Sequence, residues 1–160
     1  MVKKEILDEF NGCIRQFKEK YSLDDYDLVD LILGKKTEVG YSIPVDVFND
    51  KLGCLEAATK YFKENVDLSF KKIAELVGRS NAAIINSYAK AKLKFPESFI
   101  PKSDLLIPVE IFTNKRLSIL ENLVVYLKDE RCFRFREIGK LIKRNEKTIW
   151  TVYNRVKKKI

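Results

Sequence analysis

The C-terminal end of the chain carries the side chains best suited to contact nucleic-acid bases. Lys and Arg donate hydrogen bonds to guanine edges, Asn can form two hydrogen bonds with adenine, and the methyl group of Thr fits against thymine. Such residues recur between the apolar residues of a helical pattern, so they share the side opposite its apolar seam. The residues predicted to contact bases are Lys147, Thr148, Trp150, Thr151, Asn154 and Arg155.

Basic residues flank this set and suit phosphate oxygens, whose contacts position a protein on nucleic acid without reading its sequence. The run Lys157–Lys159 has an equally good alternative explanation, because the helix dipole favours cations at the C-terminal end of a helix. The residues predicted to contact phosphates are Arg134, Arg136, Lys143, Arg144, Lys157 and Lys158.

The charge distribution favours a polyanionic partner for this part of the chain. The 160 residues include 31 Lys and Arg against 23 Asp and Glu, a net charge of +8. Residues 1–42 hold seven basic and nine acidic residues, residues 43–106 ten and eight, and residues 107–160 fourteen and six. A lysine-rich solvated surface would not concentrate the excess in the last third, whereas a surface facing nucleic acid would.

The composition argues against most enzymes and against a membrane protein. The chain has no histidine for metal ligation or catalytic triads, and its six glycines form no phosphate-cradling loop. Its three cysteines lie outside any CxxC pattern and are expected to be buried, reduced thiols. No apolar run reaches the ~20 residues of a membrane span. We therefore expect a cytoplasmic, nucleoid-associated protein that is not an enzyme and holds no metal or other cofactor.

Two segments of the chain are similar to each other. They open on IPVDVF at Ile43 and IPVEIF at Ile107, and they align at an offset of 64 residues there and 65 after one insertion. The matches predict two copies of one small fold, repeat 1 (residues 43–94) and repeat 2 (residues 107–160), joined by a linker at residues 95–106. Matched pairs include Phe48/Phe112, Glu56/Glu121, Arg79/Arg144, Ile84/Ile149 and Tyr88/Tyr153.

Each repeat is predicted to be a helical bundle. In repeat 2, Ser118 and Glu121 form a capping box, a short helix follows at Phe135–Ile142, and Asn145 caps a longer helix after a tight turn. A short helix, a turn and a longer capped helix constitute a helix-turn-helix. The expected fold class is all-α, with tandem helix-turn-helix modules of three to four helices and an N-terminal helical segment. In repeat 1 the expected caps are Ser69 and Ser80, with Gly78 in the turn. The residues expected to be buried along the last helix of each repeat are Ile84, Tyr88, Ala91 and Phe95 in repeat 1, and Ile149, Tyr153, Val156 and Ile160 in repeat 2.

Repeat 1 is the poorer reader of nucleic acid. Ile85 stands where repeat 2 has Trp150, and Ile85 and the nearby alanines suit packing against repeat 2 or a second chain. Trp150 itself is equally compatible with packing between the repeats and with contact to nucleic acid. The weaker contacts predicted for repeat 1 are Arg79, Asn81, Asn86 and Lys90.

Residues 1–42 are predicted to be a separate helical segment. Residues 16–33 align with residues 61–78, with Phe17 on Phe62, but the similarity ends at Gly34. Four aspartates cluster between Asp24 and Asp30. We expect a degenerate copy of the repeat that acts as a helical cap or a surface for a partner, not as a reader of nucleic acid.

Both repeats resemble the helix-turn-helix module in region four of bacterial RNA polymerase sigma factors, over roughly residues 52–94 and 117–160. The matching elements are Leu117-Ser118 with Glu121, Phe135–Ile142, Thr148-Ile149 and Arg155-Val156. The resemblance implies that the last helix, residues 145–158, enters the major groove of DNA. The IPV openings are not part of the sigma pattern, and two such modules do not make a complete sigma factor.

The function expected from these features is binding of double-stranded DNA through the last helix, as a transcription regulator. The alternative is a protein-interaction adaptor that keeps the fold without binding DNA, because a fold does not fix a function. A homodimer, or another protein held by repeat 1 or by the acidic N-terminal segment, is a further expected partner; a membrane is not.

Overall fold

The structure is a computed structural model that describes residues 2–21, Leu28 and residues 40–160. The chain divides into two compact units, residues 1–40 and residues 41–160. It is mostly helical, with one two-stranded sheet in the described part, so the expected all-α fold class is confirmed. No helix among the described residues is long and apolar enough to cross a membrane.

The described part of the first unit is helix α1, Val2–Tyr21, which has no buried residue. Ile6, Phe10, Phe17 and Tyr21 are exposed along it, and the rings of Phe17 and Tyr21 lie in contact, tilted by 48° with centroids 4.6 Å apart. The predicted aspartate cluster and most of the predicted degenerate copy lie outside the described residues.

The second unit contains both repeats and the linker. Repeat 1 has strand β1 (Ser42–Pro44), a 3₁₀ turn (Val45–Val47) and helices α2 (Cys54–Glu64), α3 (Phe70–Val77) and α4 (Asn81–Lys94). Repeat 2 has strand β2 (Leu106–Pro108), a 3₁₀ turn (Val109–Thr113), α5 (Ile119–Val125) with a π-helical extension (Tyr126–Glu130), α6 (Phe135–Leu141) and α7 (Glu146–Lys159).

Four helices of the second unit, α3, α4, α5 and α7, begin at residues whose side chains bind otherwise unpaired backbone amides. The Ser69, Ser80 and Ser118 hydroxyls accept from Lys72, Ala83 and Glu121 N–H at 3.1–3.2 Å, and the Asn145 amide oxygen accepts from Lys147 N–H at 2.9 Å. The predicted caps are therefore in place. Equivalent residues also share left-handed backbone: Gly78 and Lys143 in the turns (φ 62° and 52°), and Asp67 and Cys132 before α3 and α6 (φ 60° and 59°).

The two repeats meet through equivalent residues. β1 and β2 pair antiparallel with Ile43 opposite Ile107, which hold the same position in the two copies. Beyond the ladder, Val45 N–H donates to the Leu105 carbonyl and Val109 N–H to the Tyr41 carbonyl, both at 2.9 Å. The contact is reciprocal, as in a dimer with two-fold symmetry.

Large apolar side chains continue this interface into the core. The rings of Phe48 and Phe112, again equivalent residues, lie 6.3 Å apart edge to face, and both are almost fully buried. The interface lies within one continuous core that includes residues from both repeats. Such burial is the main favourable term in folding, so each repeat depends on the other.

Some expectations about burial are wrong. Ile160 is 83% exposed, because helix α7 ends at Lys159 and Ile160 lies beyond its buried seam. Val152, which is not among the residues expected in the seam, is buried between Ile149 and Val156. Of the three cysteines only Cys54 is buried; Cys13 and Cys132 are exposed.

The linker packs against repeat 1 instead of forming a free tether. Phe99 is buried, and its carbonyl accepts a hydrogen bond from the Asn65 side chain at 3.0 Å. The rings of Phe95 and Phe99 stack over the fully buried side chain of Lys60, whose ammonium pairs with Glu64. The linker therefore fixes the end of α4 to α2.

Candidate nucleic-acid interface

Helix α7 is fastened to the rest of repeat 2 along one side. Ile149, Val152 and Val156 are buried on that side. Near its C-terminus, the Lys159 ammonium lies 2.8 Å from the carboxylate of Glu121, the capping residue of α5. This attachment fixes which side of α7 faces outward.

The side chains predicted to contact bases lie on the opposite side of α7. Five of the six residues are exposed and Asn154 is half-buried; Trp150 is 56% exposed, so its side chain is not enclosed between the repeats. The structure therefore brings together the whole predicted set, Lys147, Thr148, Trp150, Thr151, Asn154 and Arg155, on one outward-facing surface, the open side of α7.

Two of these side chains are oriented by the helix backbone. The Thr151 hydroxyl donates to the Lys147 carbonyl at 2.8 Å, and the Asn154 amide nitrogen donates to the Trp150 carbonyl at 3.0 Å. An Asn amide has two N–H donors and a carbonyl oxygen. Asn154 therefore keeps one donor and its acceptor, the two groups needed for the edge of adenine.

The predicted phosphate contacts differ in how free their charges are. Arg134, Arg136, Lys143 and Lys158 are exposed around α6 and α7. Lys157 is also exposed, but its ammonium pairs with the Asp129 carboxylate at 3.0 Å. Contact between Lys157 and a phosphate would have to replace that ion pair.

The ion pair of Lys157 belongs to a small network. Burial opposes the negative charge of Asp129, but hydrogen bonds from the Tyr153 hydroxyl (2.7 Å) and from Lys157 outweigh it and lower the pKa of Asp129. The hydrogen bond of Lys157 to Asp129, together with one to Tyr153, raises the pKa of Lys157. Repeat 1 has the equivalent network, with Tyr88 and Lys92 on Glu64.

Arg144 is not part of the outward surface, which corrects one prediction. Its guanidinium is half-buried between the repeats and donates to the Leu52 carbonyl of repeat 1 at 2.7 Å. It also lies beside the Cys54 thiol; burial raises the pKa of Cys54 to about 11, and Arg144 acts against that rise. Arg144 therefore joins the repeats and is not available to phosphate.

Arg79 requires the same correction in repeat 1. Its guanidinium donates to the Leu117 carbonyl of repeat 2 at 2.7 Å, which mirrors the contact of Arg144. Arg79 also donates to the Gly78 carbonyl at 3.2 Å, so its donors are used in the turn and in the interface. The other predicted contacts of repeat 1, Asn81, Asn86 and Lys90, are exposed on α4.

The open side of α4 differs from that of α7 in chemistry. Ile85 and Leu93 are exposed there, Leu93 to 86%. Lys92 and Lys94 at the end of α4 pair with Glu64 and Glu56, as Lys157 and Lys159 pair with acids in repeat 2. Of the predicted contacts on this side of α4, only Lys90 is charged.

Helix α6 requires a glycine where it faces the turn before α7. A Cβ at Gly139 would lie 2.6 Å from the Arg144 carbonyl oxygen, closer than a side chain can approach backbone. Gly139 therefore lets α6 approach the start of α7, where Lys143 and Lys147 are presented.

Two basic residues near the turn of repeat 1 are not among the predicted contacts. Lys71 and Lys115, both exposed, line a groove that also includes Gly78 and Asn81. The repeat alignment contained a signal for one of them, since Lys71 is equivalent to Arg136, a predicted phosphate contact. Lys115 is brought to this place by repeat 2, and no local pattern marks it.

Comparison with protein-family models, with curated proteins and with solved structures finds no match to this chain. Within residues 2–21, Leu28 and residues 40–160, no group of three or more Cys, Asp or Glu side chains is placed to hold a metal ion.

Proposed function

We propose that the protein binds double-stranded DNA with α7 in the major groove, and that it regulates transcription in association with the nucleoid. The observation that carries the proposal is the open side of α7, where Lys147, Thr151, Asn154 and Arg155 face outward while the apolar seam is buried. An α-helix fits the major groove, and these side chains match the donor and acceptor pattern of base edges.

The surroundings of α7 support the same proposal. Arg134, Arg136, Lys143 and Lys158 are exposed beside it, and contacts of this kind position a helix on the DNA backbone. Each phosphate neutralised releases counterions, so affinity should fall steeply as salt is raised. The helix-turn-helix assignment of α6 and α7 belongs to this proposal.

A second candidate function is favoured by one observation on α4. Its open side exposes Ile85 and Leu93 next to small residues, which suits an apolar protein partner better than a phosphate backbone. The chain would then be an adaptor that holds another protein through repeat 1. An adaptor of this kind would show no affinity for DNA even at low salt.

The deciding experiment compares two equivalent positions. Fluorescence anisotropy with duplexes selected from a random pool measures the affinity of Arg155→Ala and of Lys90→Ala over a salt series. Loss of a base-reading arginine should weaken binding about 5- to 100-fold. Lys90→Ala should weaken it roughly 2- to 3-fold and equally for all sequences, because we assign Lys90 to a phosphate.

Both side chains are exposed, so neither replacement should change the thermal unfolding midpoint. Wild-type protein that shows no binding at low salt would overturn the proposal in favour of the adaptor. Equal losses for the two variants would show that α7 is not the reading helix.

A further inference from the structure

The two repeats are related by an approximate two-fold axis. Arg79 reaches the Leu117 carbonyl and Arg144 reaches the Leu52 carbonyl, both at 2.7 Å, and these four residues form two equivalent pairs. In a head-to-tail arrangement the second contact would not mirror the first. Because α4 and α7 hold equivalent places in the repeats, the same axis relates them.

We propose that one chain binds DNA as a built-in dimer, with α4 and α7 on two half-sites of opposite orientation. Helices related by a two-fold axis approach successive major grooves from symmetric directions, so the half-sites that they contact are inverted. This inference rests on the proposed function and adds the architecture of the DNA site.

Lys90 lies beside the contact between the two repeats. A groove of about 300 Å³ lies between the starts of α2 and α5, and α4 contributes Ser87 and Lys90 to its wall. Arg155 is the residue of repeat 2 equivalent to Lys90. The approximate axis gives Arg155 the matching position on α7, so in this proposal the sides of α4 and α7 that carry Lys90 and Arg155 face one duplex. The groove is lined by the equivalent pairs Gly53/Ser118, Cys54/Ile119 and Leu55/Leu120.

The two half-sites should contribute unequally to specificity. Ala82, Ile85 and Ala89 of α4 stand where α7 has Lys147, Trp150 and Asn154. Helix α4 thus has few groups that can bond base edges. Around it, Lys71, Lys90 and Lys115 are exposed and can hold phosphates. One half-site is then read by α7, and the other is held with little regard to its sequence.

Site-directed cleavage tests the orientation. Glu75→Cys in α3 and Lys140→Cys in α6 are equivalent, exposed positions outside the predicted contacts. Each is made in the full chain with Cys13→Ser and Cys132→Ser, labelled with an iron chelate that cuts nearby DNA, and bound to a duplex selected by the wild type. The two labels should give cleavage patterns that mirror each other about one point, with centres about 10 base pairs apart.

A second measurement tests the inequality of the half-sites. Base changes in the half cut from position 140 should weaken binding about 5-fold or more for each base pair. Changes in the half cut from position 75 should weaken it by about 2-fold at most, since phosphate contacts carry no sequence information.

Other results contradict the inference without touching the proposed function. Two cleavage patterns of the same polarity would show that the half-sites are direct repeats and not inverted ones. Cleavage from position 140 alone would show that repeat 1 does not lie on the DNA. Equal sensitivity of both halves to base changes would overturn the assignment of α7 as sole reader. Absence of cleavage from both labels, together with no DNA binding, would overturn the proposed function itself.

Discussion

Arg144 follows the turn between α6 and α7, and its guanidinium lies 2.7 Å from the carbonyl oxygen of Leu52, ninety-two positions earlier in the chain. Arg79 makes the equivalent contact with Leu117. Both arginines lie in the turn before the last helix of their repeat, and the sequence predicts contact with DNA for both. Their half-buried guanidinium groups instead stabilise the contact between the repeats.

We therefore expect Arg144→Ala to lower the free energy of unfolding by about 1.5–3 kcal/mol, the usual value of a hydrogen bond to a charged group. Urea unfolding followed by circular dichroism measures the loss. Lys143→Ala is the matched control, because Lys143 is the exposed neighbour, and it should leave stability almost unchanged while weakening DNA binding. Unchanged stability in Arg144→Ala with weaker DNA binding would restore the phosphate assignment.

The sequence predicts single residues well where the interaction is local. The Ser118 and Asn145 caps bond amides within three residues, and both are in place. The contact of Arg144 with Leu52 cannot be predicted in this way, because its partners are far apart in the chain and no periodicity connects them. The prediction for Ile160 is wrong because it extends the helical period of α7 beyond Val156, the last buried residue of the seam.

At the scale of elements, each repeat ties its first helix to its last in the same way. Glu56 at the start of α2 accepts from Lys94 at the end of α4, and Glu121 of α5 accepts from Lys159 of α7, at 2.8–3.0 Å. Burial opposes the charge of both carboxylates. Hydrogen bonds from the lysines and from the backbone amides of Gly53 and Ser118 outweigh burial and lower the pKa of Glu56 and Glu121.

These carboxylates make stability depend on pH in the acid range. A group whose pKa is lower in the folded state stabilises that state above its unfolded pKa, about 4.3 for Glu, and loses this effect as the pH falls below it. Lys159→Met should therefore be less stable than the wild type at pH 7, by up to about 1 kcal/mol, and the gap should narrow at pH 3, below the unfolded pKa. Chemical unfolding at the two pH values measures the gap.

Lys158→Met is the control for that measurement, since Lys158 is exposed and has no ion pair among the described residues. It should show no gap at either pH. A Lys159→Met gap that persists at pH 3 would mean that the lysine acts through its aliphatic stem and not through Glu121.

The elements themselves could be predicted because their signals lie within each repeat. The stripe that contains Ile149 and Val156 gives α7, and Gly78 and Asn145 mark where a turn ends and a helix begins. The outward surface of α7 could be predicted from the same stripe. The pairing of Ile43 with Ile107 could not, because the repeated IPV opening reveals that two copies exist without revealing how they meet.

At the scale of the whole second unit, the repeats share one core. Phe48 and Phe112 pack against each other across the approximate axis, and β1 and β2 complete one sheet that neither repeat has alone. A repeat separated from the other would expose these surfaces to water. The unit of residues 41–160 should therefore unfold in one cooperative transition.

Cooperativity is tested by damaging one repeat and observing the other. Phe62→Ala opens a cavity in repeat 1, where Phe62 is fully buried, and should cost about 3–5 kcal/mol. The urea midpoint of Trp150 fluorescence, in repeat 2, should fall with it. The reciprocal variant is Leu127→Ala, at the equivalent position of repeat 2. It should lower the urea concentration at which the Cys54 thiol of repeat 1 becomes exposed. Because both probes report one transition, a Trp150 midpoint that stays in place in Phe62→Ala would show that the repeats fold independently.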